Sequence, residues 1–336
     1  MIIRKLKIIL FAFLVTVSIS ACSEKEEIPL DSLKDKMPSE INSMFIEEIG
    51  GIKQSLKVIT KNSNNPVLLF LNGGPGASIM GSADKFTDKL REKFTVILWD
   101  QRGAGRTLEL NPPDALLTVN QMQNDTYELI KLLQENFNKE RIYLAGHSWG
   151  NVLGFNIVKT HPELLYCYFA MSPVVNQLES EKRLLSKLMD YYRIKENKTA
   201  LAELSSVQIP HTKKEDLYYS RKWLGYMEGS WFKKTWLFRI FFLNWCDTWF
   251  PVWQEIMKIN LTESIKEIKC PVYFFVGQQD IQVSFDLTKE YYNMINAPSK
   301  DIYVFPGARH EITEEVPSQI QDIMIEKINS NALASQ

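Results

Sequence analysis

The stretch Arg141-Ile-Tyr-Leu-Ala-Gly-His-Ser-Trp-Gly150 decides how the rest of the chain is read. Ile142 to Ala145 suit a strand buried on both faces, and Gly146-x-Ser148-x-Gly150 suits a sharp turn from that strand into a helix. In such an elbow the central serine sits in strained backbone, and its neighbours must be small for strand and helix to approach. Gly146 and Gly150 supply that room. A helix starting at about Trp149 aims unpaired amides and the positive end of its dipole at the serine, a setting that stabilises an oxyanion.

Outward from this stretch, short continuous apolar runs recur at Val67–Leu71, Thr95–Trp99, Tyr166–Ala170, Val272–Val276 and Ile302–Phe305. Such runs fit the strands of a parallel sheet covered on both faces. Helical patterns fill the gaps at about 80–92, 119–137, 149–160 and 315–329, and the alternation implies right-handed crossovers in a doubly wound α/β sheet. Upstream, two alternating runs between Ser43 and Thr60, broken at Gly50-Gly51, predict an antiparallel hairpin. The interval 177–265 has helical patterning only, and it holds Trp223, Trp231, Trp236, Trp245, Trp249 and Trp253. It reads as a helical cap inserted into a core of 41–176 and 266–336. Its tryptophans have three possible uses: packing of a small helical unit, lining of an apolar pocket, and contact with a membrane surface.

Ser148 requires a base, and the elbow implies the chain order serine, acid, histidine. Of the four histidines only His310 follows the last strand run, in the turn-rich Phe305-Pro-Gly-Ala-Arg-His310-Glu. The acid belongs at the carboxyl end of the penultimate strand, where Val276-Gly-Gln-Gln-Asp280 places Asp280. The other position for an acid, after Ala170, reads Met171-Ser-Pro-Val-Val-Asn176 and has no carboxylate. Asp280 would hold the imidazole in the right tautomer and stabilise the imidazolium. A second oxyanion amide is expected from Leu71-Asn-Gly-Gly-Pro-Gly76, so Gly73 or Gly74 would face the amide of Trp149. That loop lacks the Gly-Lys-Ser/Thr that would grip a nucleotide.

Asn72-Gly-Gly-Pro-Gly76, Trp99-Asp-Gln-Arg-Gly-Ala-Gly-Arg-Thr107 and Gly146-His-Ser-Trp-Gly150 together resemble the α/β-hydrolases of the proline iminopeptidase type. The resemblance implies an α/β-hydrolase fold, a mostly parallel sheet with helices on both faces and an inserted helical cap. It also implies a covalent acyl-enzyme, removal of an N-terminal residue from a peptide, commonly proline, and no metal or organic cofactor. The first motif of that family usually begins with histidine, and this chain has Asn72. In the family, cap glutamates bind the free ammonium of the substrate. Trp223-Leu-Gly-Tyr-Met-Glu228-Gly resembles one such signature and makes Glu228 the candidate substrate-binding residue, while Arg239-Ile240 is followed by Phe241 where a second glutamate is expected. Asp100, Arg102 and Arg106 are expected to brace the loop beside the oxyanion amides.

The remaining features set the location and exclude some functions. The 336 residues carry a formal charge of -1, which argues against nucleic-acid binding, since that role needs a basic face. Arg4, Lys5 and Lys7, the apolar run Ile8–Ile19 and Ser20-Ala21-Cys22 have the layout of a secretory signal. Ile19-Ser20-Ala21-Cys22 is similar to the lipobox of bacterial lipoproteins, which implies cleavage, a lipidated Cys22 and membrane attachment, with residues 23–40 as a polar tether. Cys167, Cys246 and Cys270 lack the spacing of a zinc site and read as core residues. The sequence therefore predicts an exported serine hydrolase acting on a small peptide or ester. An iminopeptidase-like aminopeptidase leads, a carboxylesterase on the same scaffold is the nearest alternative, and an inactive lipid-anchored binding protein is a third reading.

Overall fold

A computed structural model describes residues 28–35, 37–111 and 117–333. The signal segment and Cys22 lie outside the described residues. Eight strands form one sheet: Ile41–Ile49 (β1), Ile52–Thr60 (β2), Val67–Leu71 (β3), Thr95–Asp100 (β4), Ile142–His147 (β5), Leu165–Met171 (β6), Val272–Gly277 (β7) and Lys300–Phe305 (β8). Their order is β1-β2-β4-β3-β5-β6-β7-β8. The hairpin β1–β2 joins β4 antiparallel, and every other neighbouring pair is parallel. Each apolar run falls on a strand. β3, β4, β5 and β7 are buried along their whole length, which is why they show no alternation in sequence.

Two apolar layers cover the sheet. On one face the helices Val119–Asn136 and Gly150–Thr160 pack with β1 and β2 around Leu129, Leu133, Leu153 and Phe155. On the other, the C-terminal helix Pro317–Leu333 packs Ile320 and Met324 against a layer that includes Phe86, Leu90 and Phe169. The helix expected over 80–92 is broken into the turn Met80–Ser82, the helix Ala83–Thr87 and the turn Leu90–Glu92. Gln321 explains the break, because its Oε1 accepts the amides of Lys89 (2.9 Å) and Leu90 (3.2 Å) that a continuous helix would turn on its own carbonyls.

The tether expected to reach residue 40 ends sooner. Leu30 and Leu33 are buried in the core, and the Ile46 amide donates to the Ile28 carbonyl at 3.1 Å. An apolar pair three residues apart in an otherwise polar segment gains more from burial than from solvation.

Between β6 and β7 the described residues hold helices and no strand, the longer ones being Gln177–Ile194, Lys198–Ser205, Lys214–Met227 and Trp236–Ile256. Asn176, Asn197 and Thr235 cap three of these by accepting the amides of Glu179, Ala200 and Phe238. The insertion has its own small core of Leu184, Leu188, Tyr192, Leu204, Trp223 and Leu224. The second half of Trp236–Ile256 instead joins the sheet's core through Trp249, Val252 and Ile256. No described helix is long and apolar enough to cross a membrane.

Candidate active site

The elbow follows β5. Ser148 has φ 49°, a left-handed conformation that a non-glycine residue adopts only where its surroundings hold it. Its amide donates to the Met171 carbonyl at 3.0 Å. Asn151 Nδ2 donates to the carbonyls of Met171 (2.8 Å) and Ser148 (3.2 Å), and the Tyr168 hydroxyl donates to Asn151 Oδ1 at 2.7 Å. A Cβ on Gly150 would lie 2.0 Å from the Leu71 carbonyl oxygen, and one on Gly146 would lie 2.5 Å from the Tyr168 hydroxyl. Glycine is therefore required at both positions by close approach.

The ends of β5, β7 and β8 bring three predicted residues together. His310 Nε2 lies 2.9 Å from Ser148 Oγ, and His310 Nδ1 lies 2.8 Å from Asp280 Oδ2. Asp280 Oδ1 accepts the amides of Gln282 (2.9 Å) and Val283 (3.1 Å), so both carboxylate oxygens are occupied. Burial pushes the Asp280 carboxyl up, but the charge of His310 and these hydrogen bonds outweigh it and leave the group below the usual carboxylate range. Burial pulls His310 down, and Asp280 more than offsets this, so the imidazole is more basic than an ordinary histidine. With its proton on Nδ1 facing Asp280, His310 presents Nε2 as an acceptor to the serine hydroxyl.

His147, the residue before Ser148 in the elbow, positions His310. Burial keeps it below the ordinary histidine range, and its Nε2–H donates to the His310 carbonyl at 3.1 Å. The Ser172 hydroxyl donates to the same carbonyl at 2.9 Å.

The loop after β3 lies over the elbow. A Cβ on Gly73 would come within 3.2 Å of Ser148 Cβ and 2.9 Å of His147 Nδ1, so its backbone packs directly on the serine. Gly74, at φ +103°, packs instead on Ala77. The brace differs from the expected one. Trp149 Nε1 donates to Gln101 Oε1 at 2.8 Å, Gln101 Nε2 donates to Asn72 Oδ1 at 3.1 Å, and Asn72 Nδ2 donates to the Ala77 carbonyl. Asn72 thus has a structural role where the resembled family carries histidine. Arg102 turns away to Asp125 (2.9 Å) and the Gly50 carbonyl (2.7 Å), Asp100 accepts the Arg106 amide at 2.8 Å, and the Arg106 guanidinium pairs with Glu109. Those three residues tie down the hairpin and their own turn.

A cavity of about 760 Å³ opens over Ser148, roofed by Phe242, Trp245 and Trp253 of the insertion. Trp245 Nε1 donates to the Pro75 carbonyl at 2.8 Å, and Trp223 and Trp249 are buried, so packing and lining are both served by the aromatic residues. Glu228 does not line this cavity. It ends the helix Lys214–Met227, half-buried, and burial raises its carboxyl against the partly offsetting charges of Lys233 and Arg309. The helix end turns it aside, and the acids lining the cavity are Glu311 and Glu314. The Glu311 carboxylate accepts no hydrogen bond among the described residues; its nearest cation-forming neighbour is His147 Nε2 at 3.9 Å. Burial pushes it up, but His147 and His310 outweigh this and hold it below the usual range. The signal for it was its place directly after His310.

A second buried pair faces the cavity. Arg221 donates to Glu181 through Nη1 (3.0 Å) and Nη2 (2.5 Å), Gln177 Nε2 donates to Glu181 at 2.6 Å, and the guanidinium stacks 5.1 Å from the Trp253 ring. Burial pushes Glu181 up, and Arg221 pulls it back below the ordinary range. Sequence reading did not find this pair, which no spacing motif marks. Among the described residues no cluster of histidine, cysteine and acidic side chains could hold a metal ion.

The sheet order, the elbow and the helical insertion are those of an α/β-hydrolase, and residues 66–316 match the family described as alpha/beta hydrolase fold. The chain belongs to that family. It is 28% identical over 307 residues to a probable aminopeptidase, YbaC, of Bacillus subtilis, covering 80% of this chain and 91% of the relative. It is 26% identical over 302 residues to a proline iminopeptidase of Heyndrickxia coagulans, covering 85% and 98%. The crystal structure of a proline iminopeptidase from Mycobacterium smegmatis superposes with a TM-score of 0.60 at 18% identity, covering 88% of this chain and all of that one.

Proposed function

We propose that this protein is a serine aminopeptidase that removes the N-terminal residue of a small peptide through an acyl-enzyme. Ser148 attacks the scissile carbonyl while His310 takes its proton, Asp280 keeps the imidazole oriented, and the tetrahedral oxyanion is held by the amides of Trp149 and of Gly73 or Gly74. His310 then returns the proton to the leaving amine, and water attacks the acyl-enzyme by the reverse sequence.

The observation that carries the choice of a peptide over an ester is Glu311. It is a carboxylate kept ionised, lining the cavity beside His310, with no cation in direct contact. A free α-ammonium fits such a group, and an acyl ester gives it nothing to bind. The names of the relatives support the same reading. Glu311→Gln is expected to cut turnover of proline or alanine arylamides by roughly 10² while sparing short acyl esters. Equal effects on both substrates, or a parent enzyme active on esters alone, would move the assignment to a carboxylesterase.

The division into a hydrolase core and a cap that closes over Ser148 belongs to this proposal, as does export. The basic start, the apolar run and the lipobox-like Ile19–Cys22 support a mature protein beginning at a lipidated Cys22. Mass spectrometry of the mature N-terminus tests this; a free thiol at Cys22 would remove the anchor and leave the hydrolase untouched.

A further inference from the structure

We propose that the start of the helix Trp236–Ile256, with the turn before it, is a docking surface for a bilayer bearing anionic headgroups. Trp231 is 76% exposed, Trp236 71%, Phe241 60% and Ile240 45%, in a chain whose other tryptophans are covered or line the cavity. These are one patch. The ring of Phe232 lies 6.1 Å from Trp231 and 6.3 Å from Phe241, and Trp236, Leu237, Ile240 and Phe241 fall on one helical stripe. The opposite side of the same turns is anchored, with Phe238 and Phe242 against the Tyr218 ring at 5.9 and 6.1 Å. The exposed rings therefore project from a fixed base, and contiguous apolar surface of this kind marks an interaction site.

Charge decides the occupant. From Gly229 to Asn244 the chain carries Lys233, Lys234 and Arg239 and no acidic residue. Lys234 and Arg239 are exposed, lie over the Tyr226 and Tyr218 rings at 5.6 Å each, and make no ion pair among the described residues. Tryptophan flanked by unpaired cations suits the interfacial layer of a membrane, where the rings sit at headgroup depth and the cations meet phosphate. A second copy of the chain fits worse, because a two-fold contact would set these cations against themselves. Phe242 and Trp245, next along the helix, line the cavity, so docking would bring the cavity's roof close to the headgroup layer. The proposal needs neither lipidation of Cys22 nor the chemistry of Ser148.

The test uses the full chain on vesicles of brominated phosphatidylcholine, with and without phosphatidylglycerol. Tryptophan emission should be quenched on the vesicles containing phosphatidylglycerol, and added salt should reverse the quenching. Trp231→Phe/Trp236→Phe should lose the quenched component. Lys234→Glu/Arg239→Glu, which keeps both reporters, should weaken docking about tenfold or more at an unchanged far-UV spectrum. Undiminished quenching in the tryptophan pair, or undiminished vesicle affinity in the charge-reversal pair, would overturn the proposal, as would a dimer in sedimentation that depends on Trp236 and excludes vesicles.

Discussion

Two buried acid–base pairs face one cavity, and they do different work. Asp280 and His310 sit on loops at the ends of β7 and β8, and Glu181 and Arg221 sit on two helices of the insertion. Asp280 is held by two backbone amides and one imidazole, so its partner can gain and lose a proton without rearrangement. Glu181 is saturated by a guanidinium and an amide side chain, and its partner never loses its proton at working pH. In the proposed mechanism the first pair serves turnover, while the second ties two helices of the insertion together. Similar burial and similar hydrogen bonding therefore do not imply similar function; the titrating partner does.

The contrast fails most visibly if the effects do not cross over. Asp280→Asn is expected to lower turnover by about 10⁴ through loss of the correct tautomer, with little change in the denaturation midpoint. Arg221→Leu should do the reverse. Leaving Glu181 buried without its cation costs about 3 kcal/mol or more, read in urea titration, while the chemical step slows far less. An Arg221 variant as stable as the parent would show that the pair is not structural. Gln101→Leu sharpens the comparison at the elbow itself, since it leaves the Trp149 indole N–H and Asn72 Oδ1 unpaired. A loss of about 1–3 kcal/mol is expected, and a neutral result would remove Gln101 from the brace.

The smallest effect is in the pH profile. His310 must be neutral to accept the serine proton, so activity rises with pH through its titration. Asp280 raises that titration above the ordinary histidine range, so the acid limb should lie higher than for an unpaired histidine. In Asp280→Asn the limb should move to lower pH. A limb that stays fixed would assign the profile to another group.

The same two regions separate what was legible in the sequence from what was not. Strand ends fix side chains by a hydrogen-bond ladder, so chain order and local motif were enough to bring Ser148, Asp280 and His310 to one edge. In the insertion the lining depends on how helices rotate against each other. Glu228 was placed by a motif resemblance and lies at a helix end, while Arg221, on the same helix, reaches the cavity. The brace from Gln101 was hidden for a related reason. Its neighbours Asp100, Arg102 and Arg106 carry the charge that draws the eye, but the uncharged residue between them points at the elbow. Glu311 directly follows His310, but a linear sequence does not show which side of a loop faces a cavity.

The central claim, that the elbow serine is a nucleophile activated by its neighbours, is tested most directly by mapping a covalent adduct. The full chain is treated with a fluorophosphonate and digested, and the modified peptide is sequenced by mass spectrometry. The account predicts one adduct, on Ser148, that forms in the parent, disappears in Ser148→Ala and slows by orders of magnitude in His310→Ala. An adduct on another residue, or labelling of Ser148 at an unchanged rate without His310, would contradict it.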